Sequence, residues 1–138
     1  MNNLSDFLQA VCDELKTKSG VQNAQFITKY PGVLKASPLT RTVVCVGFNS
    51  VEMTDSQIGG EFDKKAVVQI ELLVCVPLFS QSLECLSIMQ KLIEDLWFES
   101  SFNVKKCSFG SVKTNRETGA YELCGVACID TNITRAVV

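Results

Sequence analysis

The stretch KKAVVQIELLVCV, residues 64–76, decides the fold of this 138-residue chain. Its even positions from Val68 to Val76 are all apolar, while Gln69 and Glu71 occupy two of the positions between them. Alternation with a period of two is typical of a β-strand that lays one face on a core. After Glu71 the odd positions become apolar as well, so we expect the strand to be buried on both faces toward Cys75.

Amphipathic helices are predicted before and after this strand, because apolar residues recur there at a spacing of three and four. The first stripe consists of Leu4, Phe7, Leu8, Val11, Cys12 and Leu15. The second consists of Cys85, Leu86, Met89, Leu92, Ile93, Leu96 and Trp97. The solvated face of the second helix is predicted to carry Glu84, Gln90, Lys91, Glu94 and Asp95. Trp97 is therefore expected in the core.

Four further strands are predicted from β-branched and aromatic residues that are bounded by turn signals. They cover residues 24–30, 41–52, 104–113 and 120–130. Residues 53–63 are polar and glycine-containing and are expected to form a loop, and residues 114–119 a hairpin connection.

The resulting order, α-β-β-β-α-β-β, predicts one α+β domain over residues 1–138, with a short tail at 131–138. The expected architecture is a mostly antiparallel sheet with both helices packed on one face. The order of strands within the sheet does not follow from the sequence.

Composition is ordinary for a globular protein and argues against disorder. Apolar residues make up 46% of the chain and charged residues 20%, and the net charge is −2. Such a balance provides no basic field for a nucleic-acid backbone, so no nucleic-acid contact is expected. The chain shows no secretory signal and no apolar run long enough to span a bilayer, so we expect a cytoplasmic protein without membrane contact.

The cysteines and the absence of histidine bear on catalysis. Seven cysteines occur without a Cys-x-x-Cys pair, most of them in apolar runs, which indicates free thiols that fill the core. With no histidine, the Ser–His and Cys–His nucleophile pairs are excluded. The carboxylates Asp55, Glu61 and Asp63 share one predicted loop, where a solvated or interface segment is the favoured interpretation over acid–base chemistry. We predict no enzymatic activity, no cofactor and no metal.

Several local motifs accompany the order of elements. They are Lys29-Tyr30-Pro31-Gly32, the strand 67–76, the crossover helix that ends in Leu96-Trp97, and Glu117-Thr118-Gly119-Ala120-Tyr121 in the last hairpin. In these features the chain resembles the tail terminator or tail completion proteins (neck and collar proteins) of tailed bacteriophages and of contractile phage-tail-like bacteriocins.

The resemblance implies a structural protein of the virion or particle. Members of the family form a ring, usually a hexamer, that caps the tail tube, stops its growth and joins it to sheath, neck, head or closed end. It implies no catalytic residues, and a location in the bacterial cytoplasm during assembly and then in the released particle.

Two features of the chain suit assembly into a ring. The long strand 64–76 is expected to offer an edge to a neighbour. The contacts with the tube or a neighbouring subunit are expected at Asp55, Gln57, Ile58, Glu61 and Phe62, with Arg116 and Glu117 at the hairpin tip as the second choice. The alternative is a small ligand-binding or regulatory domain without catalytic activity.

Overall fold

A computed structural model describes residues 4–28, 40–55 and 63–134 of the chain. The helices are α1 (Leu4–Lys18) and α2 (Leu83–Glu94), and α2 continues into a π-helical turn, Asp95–Glu99. The strands are β1 (Ala24–Ile27), β2 (Thr42–Asp55), β3 (Asp63–Pro77), β4 (Asn103–Phe109), β5 (Lys113–Asn115) and β6 (Ala120–Thr134). Within the described residues, no helix has the length and apolar character needed to cross a membrane.

The six described strands form one sheet in the order β1-β2-β3-β6-β4, and β5 pairs with the beginning of β6. The short β1 runs parallel to β2, whereas every other pair is antiparallel. The prediction of an α+β fold with a mostly antiparallel sheet is confirmed. The structure adds β5, which consists of Lys113 and the first two residues of the predicted hairpin connection, and the predicted strand 104–113 ends as β4 at Phe109.

Both helices pack on one face of the sheet, as predicted. The even-numbered side chains of β3 from Ala66 to Val76 are fully buried in the main core, together with the inner stripes of the helices. The helices contribute Phe7, Val11, Cys12, Leu15, Cys85, Met89 and Leu92 to this core. A second, smaller cluster lies on the opposite face, and it consists of Val43, Cys45, Leu73, Cys75 and Ala120. The expectation that β3 is buried on both faces toward Cys75 is thus confirmed.

The strands extend further than the sequence pattern indicated. Residues 53–55 continue β2 instead of opening a loop, and Met53 pairs with Ala66. Residues 131–134 likewise belong to β6 and not to a tail. Both extensions contain mostly polar residues, so the sequence pattern does not indicate them. The end of an antiparallel ladder is held by backbone hydrogen bonds, which do not require apolar side chains.

The expectation that β3 offers an edge is wrong. β3 pairs with β6 over its whole length and with β2 from Lys64 to Cys75, so it is the middle of the sheet. A strand with both neighbours in place has no backbone donors or acceptors left for another chain.

Three predictions on α2 are also wrong. The backbone N–H of Ser100 donates to the carbonyl of Asp95 at 2.8 Å, five residues back, which widens the last turn. The wide turn changes the spacing of side chains at the end of the helix. Asp95, expected on the solvated face, is 3% exposed, whereas Trp97, expected in the core, is 46% exposed. Leu86, at the border of the predicted stripe, is exposed as well.

Candidate assembly interface

The predicted interface residues do not come together in one patch. Asp55 is the last residue of β2 and pairs with Lys64, at one end of the long strands. Gln57, Ile58, Glu61 and Phe62 lie outside the described residues. Arg116 and Glu117 lie next to the start of β6, where Ala120 pairs with Pro77 at the other end of β3. The two ends lie thirteen residue steps apart along β3, from Lys64 to Pro77, which corresponds to roughly 43 Å.

The turn at Arg116 and Glu117 is held by its own side-chain hydrogen bonds. Asn115 Oδ1 accepts from the backbone N–H of Glu117 at 3.0 Å and from that of Thr118 at 3.3 Å. Gly119 has φ 64°, a conformation that a glycine adopts without steric cost. Both Arg116 and Glu117 are exposed, so the turn presents a fixed, polar tip at this end of the sheet.

On one side of the sheet, β2 is the outermost described strand beyond Cys45. The short β1 pairs only with residues 42–45, and no strand among the described residues pairs with the outer edge of β2 beyond Cys45. From Phe48 to Met53 the side chains are half-buried or exposed, and Met53 is 56% exposed. We call residues 48–53 the β2 edge.

The opposite side of the sheet ends in β4. It pairs with β6 on one side, and no described strand pairs with its other side. The register shifts between Val104 and Lys106, which leaves Lys105 as the extra residue of a β-bulge. Residues 103–109 are called the β4 edge.

An apolar groove runs between the β4 edge and the π-helical turn. It has a volume of about 350 Å³ and is lined by Ile93, Trp97, Phe98 and Cys107, with Glu94, Lys105 and Lys106 at its rim. Phe98 is 74% exposed. Neighbouring exposed aromatic side chains of this kind are typical of protein contact sites.

The two edges differ in charge. The β2 edge carries Glu52, and the β4 edge carries Lys105 and Lys106, and all three side chains are exposed. Opposite charges on two edges of one sheet favour contact between unlike edges and disfavour contact between like edges.

A cleft of about 490 Å³ lies on the sheet face opposite the helices. Its lining includes Leu73, Lys113, Glu122 and Cys124. Cys124 Sγ donates to Glu71 Oε1 at 3.1 Å, and burial together with this carboxylate raises the pKa of Cys124 to about 11. A thiol of that pKa is protonated at neutral pH, so it is a poor nucleophile. No group of three or more metal-ligating side chains occurs in the part of the chain that the structure describes.

The sequence matches no known protein-family model, and no curated protein matches it either.

Sequence reasoning missed the β4 edge. The pair Lys105-Lys106 is most simply a solvated strand end when seen alone, and Trp97 follows the periodicity of a core residue. The sequence does contain one signal for this edge, because the aromatic pair Trp97-Phe98 is followed a few residues later by the lysine pair Lys105-Lys106. Only the sheet order shows that these residues meet at an outer strand.

Proposed function

We propose that this protein is a structural subunit of a ring that caps the tail tube of a phage or phage-tail-like particle. The ring stops tube growth and joins the tube to sheath, head or closed end. The observation that supports the proposal is the pair of unlike edges, β2 and β4, which lie outermost on opposite sides of the sheet in the part of the chain that the structure describes.

A ring requires a contact in which one patch of a subunit meets a different patch of the next. The β2 edge and the β4 edge are such a pair, because they differ in sequence, charge and position. A closed dimer through a two-fold axis would instead bring like edges together, Glu52 near Glu52 or Lys106 near Lys106, which is electrostatically unfavourable.

The ends of the long strands suit contacts along the axis of such a ring. Asp55 belongs to one end of the sheet, and Arg116 and Glu117 lie next to the other end. Gln57, Ile58, Glu61 and Phe62 follow Asp55 in the sequence and remain candidates for the same contact. A cap has two different neighbours, the last ring of the tube on one side and a neck, head or sheath component on the other. Candidate contact residues at both ends of the sheet would allow one end to bind the tube and the other to bind the neck, head or sheath component.

Imaging tests the proposal. The purified protein is mixed with growing tail tubes from its own particle and examined by negative-stain electron microscopy, alongside its solution mass. We expect rings on one tube end and tubes that no longer lengthen. Bare tubes that keep growing beside a stable monomer would overturn the proposal.

Alanine substitutions distinguish the two ends of the sheet. We expect substitution of Asp55, Gln57, Ile58, Glu61 and Phe62 to prevent capping of the tube. The matched control, Arg116→Ala with Glu117→Ala, lies at the far end and is expected to leave capping intact. Equal loss of capping in both variants would contradict separate tube-facing and neck-facing ends.

The second candidate is a small ligand-binding domain, and the cleft on the helix-free face supports it. A cleft of about 490 Å³ has the size of a small-molecule site, and Lys113 and Glu122 supply one charge of each sign. Titration of the isotopically labelled protein with small charged metabolites would shift the amide signals around Leu73 and Lys113 if this function holds.

A further inference from the structure

We infer that the β2 edge of one copy pairs with the β4 edge of the next copy, antiparallel, so that the sheet continues from subunit to subunit. The inference rests on the proposed ring, since it names the contact that would close it. It follows from the strand directions, the apolar side chains and the charges of the two edges.

The strand directions fix how the edges meet. Each step from β2 through β3 and β6 to β4 is antiparallel, so β2 and β4 run in opposite directions. Copies related by rotation about an axis along the strands keep the same strand direction and the same outward face. The β4 edge of one copy therefore meets the β2 edge of the next as an antiparallel pair, with the helix-bearing faces on the same side.

Apolar side chains match on the helix-bearing face. Through the pairs with β3 and β6, Phe48 lies at the level of Cys107, and Val51 lies at the level of Val104. All four side chains are half-buried in the single chain, and they belong to the helix-side core or pack against it. When two edges meet without stagger, these residues form cross-strand pairs, which are the unit of sheet stabilisation.

The exposed aromatic residues extend this match. Trp97 and Phe98 flank the groove along the β4 edge, and Met53 is the exposed apolar residue at the end of the β2 edge. A neighbour's β2 edge would cover the groove and remove Trp97 from water. Buried aromatic anchors of this kind contribute most of the binding free energy of many interfaces.

Charges match on the opposite face. Glu52 lies at the level of Asn103, and Ser50 at the level of Lys106. Glu52 of one copy is then the diagonal neighbour of Lys106 of the next, a separation that long side chains bridge. Lys105 in the bulge adds a second positive charge at the same edge.

Charge reversal tests the pairing. In Glu52→Lys and in Lys106→Glu, like charges meet across the contact, and we expect each variant to cap about tenfold fewer tube ends than the wild type at equal protein concentration. The double variant restores opposite charges, and its capping should return to the wild-type level. Single reversals without effect, or a double variant that stays defective, would overturn the pairing.

A matched control separates this contact from net charge. Glu84→Lys and Lys91→Glu change the net charge by the same amounts as Glu52→Lys and Lys106→Glu, but at exposed residues on the outer side of α2. We expect both variants to cap as the wild type does. If they lose capping to the same extent as the edge variants, the effect is one of overall charge and the pairing is refuted.

Cross-linking of unaltered subunits provides a measurement that needs no variant. A carbodiimide joins a carboxylate and an amine in contact, with loss of one water taken up by the reagent. Wild-type protein on tube ends should yield an amide between Glu52 of one copy and Lys105 or Lys106 of another, identified by mass spectrometry of mixed isotope-labelled copies. Capped tubes without this cross-link would refute the pairing while the proposed function stands, whereas uncapped tubes would refute the function itself.

Discussion

The carboxyl groups of Glu14 on α1 and Asp95 on the π-helical turn lie in contact inside the protein. Neither oxygen of Asp95 accepts a hydrogen bond from a described N–H or O–H group, and the same holds for Glu14 Oε2. Burial raises the pKa of Asp95 to about 6, and the negative charge of the neighbouring Glu14 adds to the increase. The charge of Glu99 raises this pKa further, while Lys18, 3.7 Å from the other oxygen of Glu14, opposes the shift. A buried Asp95 carboxyl group beside a carboxylate is most stable in its protonated, uncharged form.

The first prediction concerns pH. Because the pKa of Asp95 is higher in the folded than in the unfolded protein, its contribution to stability is complete below the unfolded value and is lost as the pH rises through about 6. Asp95→Asn removes the buried charge, so at pH 7.5 we expect a free energy of unfolding higher by about 1–3 kcal/mol. Urea unfolding at pH 5 and at pH 7.5 measures the effect, and Glu94→Gln, at the exposed neighbour, is the control. If Asp95→Asn is no more stable than the wild type at pH 7.5, a charged Asp95 does not destabilise the folded protein.

The second prediction compares two neighbouring side chains of the π-helical turn. Leu96 is fully buried and Phe98 is 74% exposed. Leu96→Ala should lower the free energy of unfolding by about 2–5 kcal/mol, because it leaves a cavity. Phe98→Ala should change it by no more than about 0.5 kcal/mol, while reducing the capping of tubes. Denaturant unfolding of both variants checks the first part and electron microscopy the second. A large loss of stability in Phe98→Ala would mean that its ring belongs to the core.

The third prediction concerns the close approach of α2 to β6 at Gly125. A methyl group at this position would lie 2.9 Å from Sδ of Met89 and 3.3 Å from Cβ of Phe109. We expect Gly125→Ala to lower stability by about 1–3 kcal/mol through overpacking. In a Met89→Ala background the same substitution should cost less, since the crowded sulfur is gone. Thermal unfolding of the wild type, the two single variants and the double variant measures the effect as a double-mutant cycle. If Gly125→Ala lowers stability equally with and without Met89, the Met89 side chain is not the cause of the overpacking.

The fourth prediction uses the thiol of Cys124. Since the pKa of this thiol is raised to about 11, in part by Glu71, alkylation at pH 7.5 should be slow although the side chain is exposed. Glu71→Gln removes the negative charge, and we expect faster alkylation and a lower midpoint in its pH profile. Mass spectrometry after timed iodoacetamide treatment measures both. Cys75, which is fully buried, is the internal control and should remain unmodified. Unchanged kinetics in Glu71→Gln would rule out the carboxylate as the cause.

The fold was predictable where one physical signal decided the outcome. The period of two in β3 and the apolar stripe of α1 each specify a buried face, and both predictions are confirmed. The sheet order was not predictable, because β6 pairs with β3 through contacts between residues about 40–70 positions apart in the sequence. Nothing local in residues 120–134 indicates that they lie between β3 and β4.

The candidate site was less accessible to sequence reasoning than the fold. Trp97 fits a helix with 3.6 residues per turn, and it is exposed because the turn that begins at Asp95 is wider. The open edges depend on which strands lie outermost, a property of the whole sheet. Residues 53–63 are predicted as an interface because they are polar. Polar composition indicates exposure to water, but it does not indicate which strands have unpaired backbone groups.

The central place of β6 has a consequence for how the chain is made. β6 follows every other described element in the sequence, yet it lies between β3 and β4. During synthesis on the ribosome, β3 therefore lacks its β6 partner until residues 120–134 have emerged. In that interval the nascent chain exposes an apolar strand that can bind other chains. A chaperone that shields β3 before β6 arrives would raise the yield of native protein, and slow translation before residue 120 would lower it.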